Sequence, residues 1–315
     1  MMTWRAYPLT VGLPQTNYRG LAEARLLMEA GNVFWWALGD AIQRPIAQLR
    51  SASGEPVYAT IVFVEERFPP MRTLSTFRLD DQLNFLVHVR AMRNLAVEGR
   101  VVFNRAEELA SLEPDDAWWQ TQSSHPSIRF GSIFATPGPT ASQLKLSPPV
   151  NATFHGIPPL PLEHNPIQLT RVAQDTGRLG VIPDGWIALD SAGPTCCAYD
   201  VDPDRDTNAA GLVYFANFIA MMEQGERMIL HEASSRHLLQ RCIAYYGNAG
   251  LTDRITIELS RWGEGGQPEI VGLRFRLTRA GDAKLICLSE AILSLAPPSS
   301  SARSSSVGQY VGLPR

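Results

Sequence analysis

An α+β protein of two tandem units, each a buried helix packed against antiparallel strands, is the architecture this sequence predicts. Three observations predict it. Two strongly apolar helical stretches are headed by the same Gly-Leu pair, at Gly20-Leu21 and Gly211-Leu212. Each follows one strand pattern and precedes four more. A proline-rich stretch of different character separates them. At 315 residues the chain is long enough for one large domain or two ordinary ones.

In chain order, residues 3–11 form a first strand. The helix from Gly20 carries Leu21, Ala24, Leu27, Met28, Gly31, Phe34, Trp35, Leu38 and Ile42 at three- and four-residue steps. Phe34, Trp35 and Trp36 make it apolar around most of its circumference, so it is buried. Pro45 ends or bends it. Strands are expected at Val57–Val64, Leu74–Leu79, Leu83–Val89 and Val97–Asn104. This gives a first domain over 1–110. Residues 111–166 are rich in Pro, Gly, Ser and Thr and read as a surface connection with few regular elements.

The second domain, 167–296, opens with a strand at Thr195–Tyr199 and the Gly211 helix. Strands follow at Leu238–Tyr246, Arg254–Ser260, Ile270–Thr278 and Lys284–Leu295. Val271, Leu273, Phe275 and Leu277 alternate with Gly272, Arg274 and Arg276, as a half-buried strand requires. Gly263-Glu264-Gly265-Gly266 and Gly281-Asp282 supply turns. Residues 297–315 form a flexible, low-complexity tail.

Composition narrows the function. Lys+Arg 28 against Asp+Glu 31 gives a net charge of −3, without the basic excess of a nucleic-acid binder. Four cysteines show neither a disulfide framework nor metal-ligand spacing, and the six histidines show no ligand spacing either. No signal peptide and no membrane-length apolar run are legible, so a soluble cytoplasmic protein is expected. There is no nucleophile elbow, P-loop or dinucleotide glycine pattern.

The most informative stretch is Asp206-Thr207-Asn208-Ala209-Ala210-Gly211-Leu212-Val213-Tyr214-Phe215-Ala216-Asn217-Phe218. Small polar residues and a glycine lead into an apolar helical run to about Leu230. Unpaired amides at a helix start favour an oxygen that develops negative charge. This segment resembles the loop that seats the thioester carbonyl in hot-dog-fold acyl-thioester enzymes. With Gly20-Leu21-Ala22-Glu23 through Trp35, and Glu55-Pro56-Val57-Tyr58-Ala59, it makes the chain resemble the double hot-dog bifunctional acyltransferase/decarboxylases of polyketide pathways, the leinamycin-pathway type.

The resemblance implies a double hot-dog fold, no cofactor, and decarboxylation of methylmalonyl-CoA with transfer of the propionyl group to an acyl carrier protein. It implies that Tyr58 is catalytic, as nucleophile or as hydrogen-bond donor to the enolate. Asn208 stands where 4-hydroxybenzoyl-CoA-type thioesterases carry a catalytic aspartate. An amide cannot ionise, so Asn208 suits an enzyme that stabilises a thioester oxyanion or enolate without hydrolysis. Gly20, Leu21, Thr207, Gly211, Leu212, Tyr214 and Asn217 are the expected substrate-binding residues, while Phe215, Ile219 and Met222 read as core. Glu23 and Glu223 occupy helix positions where some hot-dog thioesterases hold a catalytic glutamate. Glu223, near Glu226 and Arg227, reads better as a paired or solvated face. Arg236 and Arg241 are basic residues an acidic carrier protein would meet, and surface charge accounts for them equally. A hydrolytic thioesterase and a silent acyl- or carrier-binding module are the alternatives. A monomer and a homodimer both fit.

Overall fold

The computed structural model describes residues 5–109, 124–138, 144–190, 195–208, 211–230, 236–265 and 269–294. The first unit comprises β1 (Arg5–Thr10), α1 (Glu23–Ala41), β2 (Tyr58–Arg67), β3 (Gln82–Met92), β4 (Ala96–Arg105) and β5 (Ser127–Pro137). A helix, α2 (Pro166–Thr176), lies in the connection. The second unit comprises β6 (Thr195–Asp200), α3 (Asn217–Leu230), β7 (His237–Tyr245), β8 (Arg254–Gly263), β9 (Ile270–Arg279) and β10 (Lys284–Ser294).

The ten long strands share one antiparallel sheet in the order β1-β3-β4-β5-β2-β7-β10-β9-β8-β6. Short segments Leu144–Leu146 and Ile187–Ala188 add to β5 and β8. The second half of this order mirrors the first, and the halves join where β2 pairs β7, with Val64 opposite Ile243. The expected tandem architecture is therefore present: one strand, one helix and four strands, twice.

Both long helices lie on the same face of the sheet. Leu26, Leu27, Ala30, Phe34 and Leu38 of α1 and Phe218, Ile219 and Met222 of α3 are buried in one core with the inward residues of both half-sheets. Burying such side chains is worth about 1.5–3 kcal/mol each, the main drive for wrapping the sheet around them. Phe34 reaches the sheet because Gly99 of β4 has no side chain; a Cβ there would stand 2.1 Å from the ring.

The connection packs on the opposite face. Leu169, Val181 and Trp186 cover Phe63, Cys242 and Ile292. Glu290, fully buried, accepts from Val181 N at 3.0 Å and from Arg274 Nε at 2.8 Å. Burial alone would raise the Glu65 carboxyl, but Arg129 and Arg67 bring it down to about 2.

Three expectations are corrected. Leu74–Leu79 is not a strand: Leu74–Thr76 is one tight helical turn, packed against Gly20. The fourth strand of the first unit is Ser127–Pro137, between β4 and β2 and inside the stretch expected to hold few regular elements. Finally, α3 begins at Asn217 rather than at Gly211. The tail at 297–315, with Ala209 and Ala210, lies outside the described residues. Among the described residues, no helix is long and apolar enough to cross a membrane.

Candidate functional site

The mirrored halves place a Gly-Leu turn at each end of the helix pair. At one end the Asn208 turn precedes α3. Thr207 pairs with Val213, and Asn208 N donates to Leu212 O at 2.9 Å. Gly211, at φ +69°, donates its N–H to Asn208 O at 2.9 Å. Leu212 N donates to Asn208 Oδ1 at 3.4 Å, Val213 N to Ala249 O and Tyr214 N to Asp206 O. The amides from Gly211 to Tyr214, expected to meet a thioester oxygen, are thus already partnered. The helix start has moved away from them.

Asp206, buried, fixes this turn. It accepts from Tyr199 Oη at 2.8 Å and from Asp202 N at 2.9 Å, and pairs with Arg205 Nε at 3.0 Å. Burial, then Asp206, pushes the Tyr199 hydroxyl up to about 12. Asn217 donates from Nδ2 to the carbonyls of Arg205 and Asp206 at 3.1 and 3.0 Å, tying the first residue of α3 back onto the turn. Tyr214 and Phe215 pack on Trp35 at 6.1 and 6.0 Å between ring centres. Trp35 also donates from Nε1 to Ala59 O, so it links the turn to the start of β2. There Tyr58 stands 44% exposed.

At the other end a cleft of about 210 Å³ opens between the start of α1 and the second half of α3. A hairpin pairs Asn17 with Gly20 and Thr16 with Leu21. Gly20, at φ +121°, lies so close to Leu74 O and Ser75 Cα that a Cβ would meet them at 2.7 and 2.9 Å. Only glycine suits both the dihedral and the approach. Helix α1 begins three residues later, at Glu23, with no side chain capping its amides. A helix start of this kind offers N–H groups and a positive dipole end.

The floor of the cleft is charged. Arg241 of β7 donates to both oxygens of Glu23, Nε to Oε1 at 2.5 Å and Nη2 to Oε2 at 3.2 Å. Glu66 of β2, fully buried, places Oε2 3.9 Å from Arg241 Nε. Burial and then Glu23 push the Glu66 carboxyl well above the usual carboxylate range. On the wall, burial first and Glu23 second raise Glu223 of α3 to about 7, against the opposing pull of Arg241, Arg19 and Arg227. His237 Nδ1, at the start of β7, lies 2.9 Å from Ser75 Oγ, and burial lowers its pKa. Arg236 Nη1 donates to Glu226 Oε1 at 3.3 Å.

No protein-family model matches the chain, and no curated protein matches it by sequence. Solved structures do match in fold. An oleoyl thioesterase from Lactobacillus plantarum superposes with a TM-score of 0.64 at 11% identity, over 93% of this chain and 95% of that one. An acyl-ACP thioesterase from Bacteroides thetaiotaomicron gives 0.56 at 10% identity, over 92% and 98%. The 12:0-ACP thioesterase of Umbellularia californica gives 0.56 at 9%, over 92% and 96%. The fold is a double hot dog.

The expected site residues divide between the two ends of this double hot dog. Tyr58, Asn208, Thr207, Gly211, Leu212, Tyr214 and Asn217 belong to the first, Gly20 and Leu21 to the cleft. Arg241 is not a surface contact for a carrier protein: it is buried and held by Glu23. Arg236 is engaged by Glu226. Sequence reading missed Ser75 and His237 and set Glu223 aside. One signal was there to find: Asn17-x-x-Gly20-Leu21 repeats Asn208-x-x-Gly211-Leu212, so the two turns are structural counterparts. His237 opens β7 as Tyr58 opens β2.

Proposed function

We propose that this double hot-dog protein is an acyl-thioester hydrolase working in the cleft between the start of α1 and Glu223. The observation that carries the reading is a carboxyl able to exchange a proton near neutrality, set in a cleft opposite an uncapped helix start. The thioester carbonyl oxygen lies toward the α1 amides, which stabilise it as negative charge develops. Glu223 takes the proton of the water that hydrolyses the acyl group, and free acid and free thiol are the products. Leu21, Leu74, Leu238 and Leu293 line the acyl side. The names of the thioesterases that share the fold support this class of substrate. An acyl group on CoA or on a carrier protein's phosphopantetheine, met in the cytoplasm, is what the reading requires, and no cofactor is needed.

A second reading, decarboxylation of methylmalonyl-CoA and transfer of propionyl to an acyl carrier protein, draws support from the opposite end. There a non-ionisable Asn208 and an exposed Tyr58 flank the Trp35 region. One experiment separates them: the purified protein is given a panel of acyl-CoAs including methylmalonyl-CoA, with and without a holo carrier protein, and all species are followed by mass spectrometry. Free acid and free CoA, lost in Glu223→Gln, support hydrolysis. Propionyl-CoA and propionyl-carrier protein, lost in Tyr58→Phe, support the second reading. Binding without turnover of any member of the panel refutes both and leaves a binding module.

A further inference from the structure

The cleft holds a nucleophile and a base in contact, contributed by different units. Ser75 sits in the Leu74–Thr76 turn of the first unit, whose backbone is clamped against Gly20. Its Oγ lies 2.9 Å from Nδ1 of His237, the first residue of β7 in the second unit, and 3.0 Å from Oγ1 of buried Thr73. Thr73 can donate to Ser75 while Ser75 donates to His237, which fixes the serine rotamer and points its proton at the base. Burial lowers the His237 pKa and so favours the neutral ring, which in its Nε2–H tautomer accepts a proton at Nδ1. Both side chains line the cleft with Glu223 and Leu21. Hydroxyl and imidazole at hydrogen-bond distance in an accessible cleft form the arrangement that activates a weak oxygen nucleophile.

We propose that Ser75 and His237 form a nucleophile–base pair, and that the acyl group is carried through the reaction as an ester on Ser75. The inference rests on the acyl-thioester reading above. Ser75 Oγ attacks the thioester carbonyl carbon as its proton passes to His237 Nδ1. The C–S bond breaks, His237 returns the proton to sulfur, and the free thiol departs. Water then attacks the serine ester, Glu223 takes its proton and passes it to the leaving Ser75 Oγ, and free acid is released. A phosphopantetheine thiol attacking the same ester would give transfer instead of hydrolysis. One cleft thereby supports either outcome, decided by the second acceptor.

The test is trapping. The full-length protein is mixed with acetyl-, propionyl- and octanoyl-CoA, quenched in acid and measured by intact mass, and the adduct is located in the tryptic peptide 73–78. The expected result is an acyl group on Ser75. Adduct should be absent in Ser75→Ala, form slowly in His237→Gln and build up in Glu223→Gln, with turnover reduced by about 100-fold in Ser75→Ala. Full turnover in Ser75→Ala, or an adduct mapping to Tyr58, overturns the pair and leaves the thioester reading standing. If neither acyl-CoA nor acyl-carrier protein reacts, a fluorophosphonate probe decides. Labelling of Ser75 that His237→Gln abolishes upholds the pair and removes only the thioester reading, while no labelling removes both.

Discussion

Replacing Glu223 by glutamine should move activity and stability in opposite directions. The carboxyl rises from its ordinary 4.5 to about 7 on folding. The groups around it are Glu23 of α1, Arg241 and His237 of β7, Arg19 of the hairpin, and Glu226, Arg227 and Arg236. Between these two values the folded protein binds more protons at this site than the unfolded chain, so the site's contribution to stability falls as pH rises through that window. At about 1.4 kcal/mol per tenfold, holding the carboxylate at pH 8 costs at most about 3 kcal/mol, and about 2 kcal/mol once its remaining water contact is counted. Glu223→Gln should therefore gain about 2 kcal/mol in guanidinium denaturation at pH 8 and little at pH 5. Thiol release from acyl-CoA should meanwhile fall about 100-fold. In the wild type the rate should climb with pH through about 7, and in the variant that limb should vanish. A variant less stable at pH 8, or one keeping the wild-type pH profile, would refute the assignment of Glu223 as base.

Three further outcomes follow from the same packing. Arg241→Met leaves Glu23, Glu66 and Glu223 without their shared cation and should cost about 3–5 kcal/mol at pH 7.5, less at pH 5, below the raised Glu223 value, read by denaturant melts at the two pH values. Gly99→Ala drives a methyl into Phe34 and should cost about 2–3 kcal/mol in the same assay, with the cleft chemistry unaltered. Asn217→Ala removes the side-chain donor to the Arg205 carbonyl and one of the two donors to the Asp206 carbonyl and should cost about 1 kcal/mol; thermal melting that matches wild type would show that the brace contributes nothing.

The tandem architecture was legible because the first helix is apolar around most of its circumference, the second carries a periodic apolar run, and most strands alternate cleanly. Ser127–Pro137 was not, for a physical reason. Ile128, Phe130 and Phe134 pack inward, while Arg129 and Gly131 on the other face lie beneath the connection, paired with Glu65 and pressed on Pro166. A strand covered on both faces has no solvent-facing row, and past Gly131 the buried Ser132 and Thr136 break the alternation that would reveal it. Leu74–Leu79 misled in the opposite sense: Leu74 and Phe77 pack into the core from a turn. The Asn208 turn stood out as a local motif. The cleft did not, because Glu23, Ser75, Glu223, His237 and Arg241 meet only when β2 pairs β7. Glu223 looked solvated because its sequence neighbours are charged, whereas its spatial neighbour Glu23 is 200 positions earlier.

The two ends of the mirrored halves differ by length as well as charge. Helix α1 starts three residues beyond Gly20, whereas α3 starts six beyond Gly211. The extra residues, Tyr214-Phe215-Ala216, carry two aromatic rings onto Trp35, and a Cβ on Gly31 would stand 2.8 Å from the Phe215 ring. At that end aromatic packing occupies the space between the helices, and the turn's amides bond to the protein itself. At the other end the shorter link brings Glu23, the first residue of α1, to the cleft, where β7 supplies Arg241 and His237 and α3 supplies Glu223. Electrostatic catalysis needs donors without internal partners and a group that titrates near the working pH. The short link and the buried cluster of carboxyls meet both needs at the Gly20 end, which is why we propose that end, rather than the Asn208 motif, as the site.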